Sequence, residues 1–286
     1  MKITNKANLP DPIYRAICND QYTGGHAYAS VTGLLKPTRM FWLQKRHYNE
    51  IEQDAADMIF MLMGSAMHSV LERGEGASSL IEQRFELPIG HKVVSGAVDC
   101  YENGIIQDYK FTSIWSWTYR SDKPEWEQQL NMYAYLCRHA GLPVKALQII
   151  CIFKDWSATK QKHDSGYPNQ VEVIDIPLWD ESRQFGFIEA KMNELAKYED
   201  VDDADLPECP QSDRWQDPIK YAVKKKGNKK AKRLFDTLAD AEDYLSVQKD
   251  DCLIETRESI PKRCVGYCSA SGFCSWYQTY KQQEEE

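Results

Sequence analysis

The chain has 286 residues, 42% of them apolar and 27% charged, with a formal net charge of −8. These values describe an ordinary globular protein with room for one substantial core and a smaller appended module. The acidic balance excludes a uniformly basic nucleic-acid binder. The N-terminus MKITNKANLP lacks the apolar stretch of a secretory leader, and the longest apolar run, near Met58–Gly64, is far too short to span a bilayer. The expected compartment is the cytoplasm, with no membrane partner. There the nine cysteines read as metal ligands or buried apolar residues before they read as disulfides.

About the first 25 residues carry little periodicity, and a helix start is expected near Pro37. A helical pattern runs from about Glu52 to Arg73, with Ile59, Met63, Met67, Val70 and Leu71 on one side. Strands are expected over Leu80–Leu87, Lys92–Cys100 and Ile105–Phe111, then a helix over Glu125–His139 ended by Gly141. Val144–Phe153 and Val171–Ile176 read as strands and Glu181–Lys197 as a helix. The resulting α-β-β-β-α-β order predicts an α/β fold with a mixed sheet flanked by helices. Past an acidic linker near residue 200, Tyr221–Lys226 and Lys229–Phe235 flank Gly227-Asn228 as a β-hairpin, and Ala239–Gln248 reads as a short helix. The division expected is a core over 1–200 and a module over 201–286 packed on it.

The segment SGAVDCYENGIIQDYKF, residues 95–111, carries the chemistry. Asn103-Gly104 is a strong signal for a type I′ hairpin. With those residues at the turn, Asp99 falls opposite Asp108, their Cβ atoms roughly 4.5–5.5 Å apart. Lys110 shares a face with Asp108. Opposed carboxylates repel one another unless a shared proton, a base or a divalent cation intervenes. Hard oxygen ligands suit Mg²⁺ or Mn²⁺, and a neighbouring lysine can orient or deprotonate water or offset charge on a phosphate. The set points to metal-assisted phosphodiester hydrolysis; the plainer alternative is a polar hairpin facing solvent. His68 closes Gly64-Ser-Ala-Met-His68, and Gln129 and Tyr133 share one face of the following helix. Alone, each is as consistent with a surface or core role.

Taken in order, G-x-x-x-H, G-x-x-D, D-x-K and Q-x-x-x-Y resemble the RecB-like branch of the PD-(D/E)XK nucleases over about residues 60–155. The resemblance implies a restriction-endonuclease-like core in which His68, Asp99 and Asp108 bind the metal and Lys110 is catalytic. It assigns Gln129 and Tyr133 to an accessory motif of the catalytic set. It also implies a DNA exonuclease of replication, recombination or repair, of the phage-encoded kind, acting on single strands or duplex ends with recombination or replication proteins as partners. Asp108 stands where many relatives carry Glu.

Cys264, Cys268 and Cys274 fall within eleven residues and favour a metal site. A closed site needs a fourth ligand, for which Cys209 and Cys252 are the candidates. Cys18, Cys100, Cys137 and Cys151 read as buried small hydrophobes. Several RecB-like nucleases carry a [4Fe–4S] cluster on cysteines near the C-terminus, which implies the same here, with Zn²⁺ as the alternative. CRISPR-adaptation members place the first cysteine before the histidine motif and follow it with arginine; here that position reads Lys36-Pro-Thr-Arg39. The arrangement resembles phage-type members instead, which favours Cys209 with Cys264, Cys268 and Cys274.

Between Lys220 and Arg233 lie eight Lys/Arg and no acid, read as a clamp on a phosphate backbone. Trp115, Trp117 and Trp126 are candidates for stacking on bases. The rival readings are a non-catalytic DNA-binding or assembly module that keeps the nuclease fold, and a metal-sensing or redox protein.

Overall fold

A computed structural model describes residues 1–19, 26–74, 76, 79–119, 124–248 and 250–285. The chain forms two compact units: residues 1–36 with 48–201, and residues 37–47 with 202–286.

In the first unit, β1 (Lys2–Thr4) and α1 (Asp11–Cys18) precede β2 (Ala29–Ser30) and α2 (Val31–Leu34). The segment Thr38–Arg46, α3, belongs to the second unit. The first unit resumes with β3 (Glu52–Asp54), α4 (Ile59–Leu71), β4 (Leu80–Ile89), β5 (Lys92–Glu102), β6 (Ile105–Thr112) and α5 (Ile114–Thr118). It ends with α6 (Pro124–His139), β7 (Ala146–Phe153), α7 (Ala158–His163), β8 (Val171–Ile176) and α8 (Glu181–Lys197).

A six-stranded mixed sheet runs β2-β5-β6-β7-β8, with β4 on the other edge of β5, and helices flank it. The hairpin lies where the Asn-Gly signal predicts, with φ of 52° at Asn103 and 88° at Gly104 and with Glu102 paired to Ile105 and Cys100 to Gln107. β6 then pairs in parallel with β7, the return being made through α6. In β7 Leu147, Ile149, Cys151 and Phe153 are buried on one side, the period-two pattern of a strand with a packed face.

α6 carries Glu125 and Glu127 in its first turn and Arg138 and His139 in its last, complementing the helix dipole. Gly141, at φ 85°, receives the chain past its end, and Leu142 N–H bonds the Cys137 carbonyl. The fully buried Asn131 joins α6 to the start of α8. Its amide donates to the Glu127 and Pro177 carbonyls, and its oxygen accepts from Trp179 N–H and Gln184 Nε2. Every polar atom of that side chain is thereby matched, so the site fixes the α6–α8 pairing instead of weakening the core.

Three expectations need correction. The helix expected from Glu52 begins at Ile59, because Glu52–Asp54 pair in parallel with Lys2–Thr4 and the Asp54 side chain caps the following 3₁₀ turn at Ala56. Cys18 is exposed at the end of α1, whereas Cys100, Cys137 and Cys151 are buried as expected. Residues 37–47 fall in the second unit, not in the core over 1–200. Arg39 explains that placement: it is 4% exposed, and its guanidinium donates to the carbonyls of Ala204, Leu206 and Pro207 and to Ser275 Oγ. A buried cation needs such a complete set of acceptors, and α3 goes where they are.

The second unit adds β9 (Lys220–Lys225), β10 (Arg233–Phe235), α9 (Leu238–Ser246), β11 (Cys252–Arg257), α10 (Lys262–Gly266) and α11 (Ser275–Glu285). Its antiparallel sheet has the order β10-β9-β11 and buries Ala222, Val223 and, from α9, Ala241. The basic hairpin is present but wide: β10 starts at Arg233, not Lys229, so the turn spans Lys226–Lys232.

Candidate active site

Asp99 and Asp108 lie where β5 divides. Its first half pairs with β2 through Val94 and Ser95, while β6 joins only from Cys100 onward. Between these stretches the edge of β5 opens, and the ladder expected to bring Asp99 directly across from Asp108 stops one step short. Asp99 Oδ2 instead accepts the Tyr109 amide at 2.8 Å, a side chain standing in for the missing rung. The two carboxylates still face one cleft of about 760 Å³, shared with His68, Glu82, Lys110, Gln129 and Tyr133.

Asp108 is 2% exposed. Its Oδ1 accepts from Gln129 Nε2 at 3.1 Å, and the same amide donates to Tyr133 Oη at 3.1 Å. Asp108 Oδ2 is buried and accepts no aligned hydrogen bond from the described residues. Lys110 Nζ stands 2.7 Å from it as an ion-pair contact and donates to Gln129 Oε1 at 3.4 Å. A buried carboxylate whose second oxygen is met only by an ammonium keeps lone-pair capacity that a cation ligand can use.

The electrostatics agree. Burial, reinforced by the charge of Asp108, pushes the Asp99 carboxyl up to about 7 despite His68, the Tyr109 amide and Lys110. Burial would depress Lys110, but Asp108 and Asp99 outweigh it and hold the ammonium above its ordinary value. The hydrogen bond to Glu82 holds His68 above its ordinary value against the opposing effect of burial.

All six residues that the sequence motifs select converge here: His68 from α4, Asp99 from β5, Asp108 and Lys110 from β6, Gln129 and Tyr133 from α6. His68, Asp99 and Asp108 present nitrogen and oxygen donors that suit Mg²⁺ or Mn²⁺. One residue escaped the sequence reading. Glu82 of β4 brings a carboxylate oxygen 2.8 Å from His68 Nδ1, and one ligand atom each from His68, Glu82 and Asp99 lie within 4.8 Å of one another. Its signal was weak, an acid among alternating residues of a strand, and nothing local ties it to a helix fourteen residues earlier.

In the second unit, Cys209, Cys264, Cys268 and Cys274 lie close enough for each charge to act on the others. Burial, followed by Cys274, Cys264 and Cys268, pushes the Cys209 thiol up to about 11. Burial and then Cys268 and Cys274 push Cys264 up to about 11, against the opposing charges of Arg214 and Arg263. Cys252 sits apart on β11, paired with Lys225. Arg39 Nη1 lies 3.8 Å from Cys274 Sγ, and the mostly buried Arg214 stacks 4.0 Å over the Trp276 ring. As thiols these groups are neutral; ionised together they would repel, and Arg214 and Arg263 beside Cys264 would offset the negative charge of a thiolate-bound centre.

The basic run is partly neutralised within its own unit. Lys220 pairs with Asp236, Lys224 with Glu255, Lys225 and Lys232 with Asp250, and Lys226 with Asp251. Its field on a passing polyanion is weaker than the bare sequence implies. Trp115 is largely exposed, whereas Trp117 packs edge-on against Phe153.

No family model and no curated protein matches the chain. One similar solved structure, the crystal structure of SSO0001, has a TM-score of 0.42 and 19% identity, spanning 63% of this chain and 83% of that one. No helix among the described residues is long and apolar enough to cross a membrane.

Proposed function

We propose that the first unit is a Mg²⁺- or Mn²⁺-dependent deoxyribonuclease of the PD-(D/E)XK type, RecB-like branch, acting as an exonuclease on single strands or duplex ends. The observation that carries this reading is the convergence on one cleft of the buried Asp108, its ion-paired Lys110, Asp99 and His68. Asp99, Asp108 and His68 would hold the cation, which when bound supplies Lewis acidity at a phosphoryl oxygen and lowers the pKa of water.

The protein's own groups divide the remaining work. Lys110 brings positive charge beside the carboxylate pair, suited to offset charge that grows on a phosphate in the transition state. Gln129 ties Lys110 to Asp108, accepting from the ammonium and donating to the carboxylate, so neither swings out of register. Tyr133 braces Gln129 in turn.

In the second unit the reading is a structural [4Fe–4S] cluster on Cys209, Cys264, Cys268 and Cys274, with Zn²⁺ as the alternative. Recombination or replication proteins would be its partners, in a cytoplasmic setting.

The test is degradation of end-labelled single- and double-stranded DNA with Mg²⁺, Mn²⁺ or EDTA, comparing wild type with Asp108→Ala. Metal-dependent cleavage that disappears in the variant is expected, and ladders from each labelled end give polarity. Folded wild-type protein that binds DNA and cuts nothing with either metal would put a non-catalytic binding module in its place.

A further inference from the structure

We infer that Glu82 is a positioning residue, which holds the His68 ring with Nδ1 protonated and so leaves Nε2 as a lone pair facing the cation site. The inference rests on the metal-site reading above and extends it to a residue outside the recognised motifs.

The geometry is direct. His68 Nδ1 lies 2.8 Å from Glu82 Oε1, while Nε2 on the far side of the ring lies 3.8 Å from Asp99 Oδ2. An ionised carboxylate only accepts hydrogen bonds, so the ring nitrogen at 2.8 Å must carry the hydrogen. A cation needs the opposite state at the other nitrogen, an unprotonated one. For the neutral ring, Glu82 therefore selects the tautomer that binding requires. Histidine ligands of metals are commonly oriented in this way by a carboxylate on the second nitrogen.

Backbone conformation supports the assignment independently. Ile81 pairs with Cys100 and Gln83 with Val98, so Glu82 stands opposite Asp99 with no residue inserted in β4. Yet its φ is 49°, in the left-handed region, where a non-glycine residue inside a strand is strained. The strain is confined to the one residue of β4 that reaches His68, and Glu82 lines the same cleft. Tyr109 sets its ring edge-on to His68 with centroids 6.3 Å apart, leaving the Glu82 contact to fix the imidazole rotation.

The experiment measures Mn²⁺ affinity by electron paramagnetic resonance for wild type, Glu82→Ala, Glu82→Gln, His68→Ala, the His68→Ala/Glu82→Ala double variant and Asp108→Ala. Imidazole ¹⁵N spectra of the metal-free proteins report the His68 tautomer. Glu82→Ala is expected to weaken Mn²⁺ binding by roughly 10–100-fold and to lose the single Nδ1–H tautomer. Glu82→Gln, whose amide oxygen still accepts from Nδ1, should keep the tautomer and most of the affinity. The double variant should bind no more weakly than His68→Ala alone, because Glu82 acts through the ring. Losses that add in full would overturn the positioning role in favour of direct ligation. An unchanged tautomer and affinity in Glu82→Ala, while Asp108→Ala abolishes binding, would sink the inference and spare the nuclease reading. Wild-type protein that binds no Mn²⁺, or binds it independently of Asp108, would overturn both.

Discussion

The ring of Tyr133 lies against Gly96 so closely that a Cβ at position 96 would come within 2.6 Å of Tyr133 Cε1 and 2.9 Å of Cδ1. The glycine of the G-x-x-D motif is there to admit the tyrosine of the Q-x-x-x-Y motif. Tyr133 in turn braces Gln129, which holds Asp108 and Lys110.

Gly96→Ala should therefore act at a distance. Overpacking of this kind costs about 1–3 kcal/mol, and the variant should fold with a lowered Tm. On the proposed nuclease reading, kcat for DNA cleavage should fall roughly 10-fold or more through displacement of Gln129, with DNA affinity close to wild type. Tyr133→Phe, which keeps the packing and removes one hydrogen bond, should lose less of both. Thermal melts with single-turnover cleavage assays check the pair.

The metal-free protein should lose stability as pH rises from about 4 to about 7. Asp99 titrates near 7 when folded and near 3.9 when unfolded. Within that window the native state keeps a proton that the unfolded chain has released, so unfolding becomes easier with rising pH and levels off above 7. The effect is on the order of a few kcal/mol. Mn²⁺ should restore Tm at pH 8 far more than at pH 5, where it must displace the proton. Asp99→Asn should flatten the metal-free profile and remove the Mn²⁺ response. Calorimetry across pH, with and without Mn²⁺, decides it.

Serine at Cys209, Cys264, Cys268 or Cys274 should each abolish bound iron or zinc, whereas Cys252→Ser should leave the metal content of wild type. Elemental analysis and visible absorbance of anaerobically purified protein read this out, and also separate iron from zinc. Arg39→Ala should destabilise the second unit by about 1–3 kcal/mol, since the buried Leu206 carbonyl loses its donor along with the part-buried contacts to Ala204 and Pro207.

Charge reversal at the hairpin tip should outweigh charge loss along its strands. Among the described residues, Lys229 and Lys230 have no acidic partner within salt-bridge distance, whereas Lys224 is paired with Glu255. Lys229→Glu/Lys230→Glu should weaken DNA binding several-fold and reduce the salt slope by about 2, near 0.9 for each phosphate no longer neutralised. Lys224→Ala should change neither by much. Fluorescence anisotropy over a salt series would show it, and equal effects would rule out the tip as the place where DNA is held.

The hairpin was legible because Asn103-Gly104 fixes both turn type and register locally, and β8 and α8 because the pattern runs through each segment, in α8 across Gly186. The same local reasoning failed where pairing is distant. Glu52–Asp54 look helical until Lys2–Thr4 offer them a parallel partner, and the basic hairpin is wide because β10 pairs with β9 only from Arg233 onward.

Chemistry by residue type was thus present in the sequence alone: two acids and a lysine around one turn, a histidine on the preceding helix, an amide and a tyrosine at helical spacing, and three cysteines in eleven residues. Tertiary structure decided what those groups meet. It opened β5 at Asp99, set Cys209 near Cys264, Cys268 and Cys274, carried Arg39 into the second unit, and set Glu82 against His68. The reason is physical. Turns, periodicity and caps depend on neighbours in the chain, whereas burial, a missing donor and a carboxylate's pKa depend on whatever the fold brings within a few ångströms.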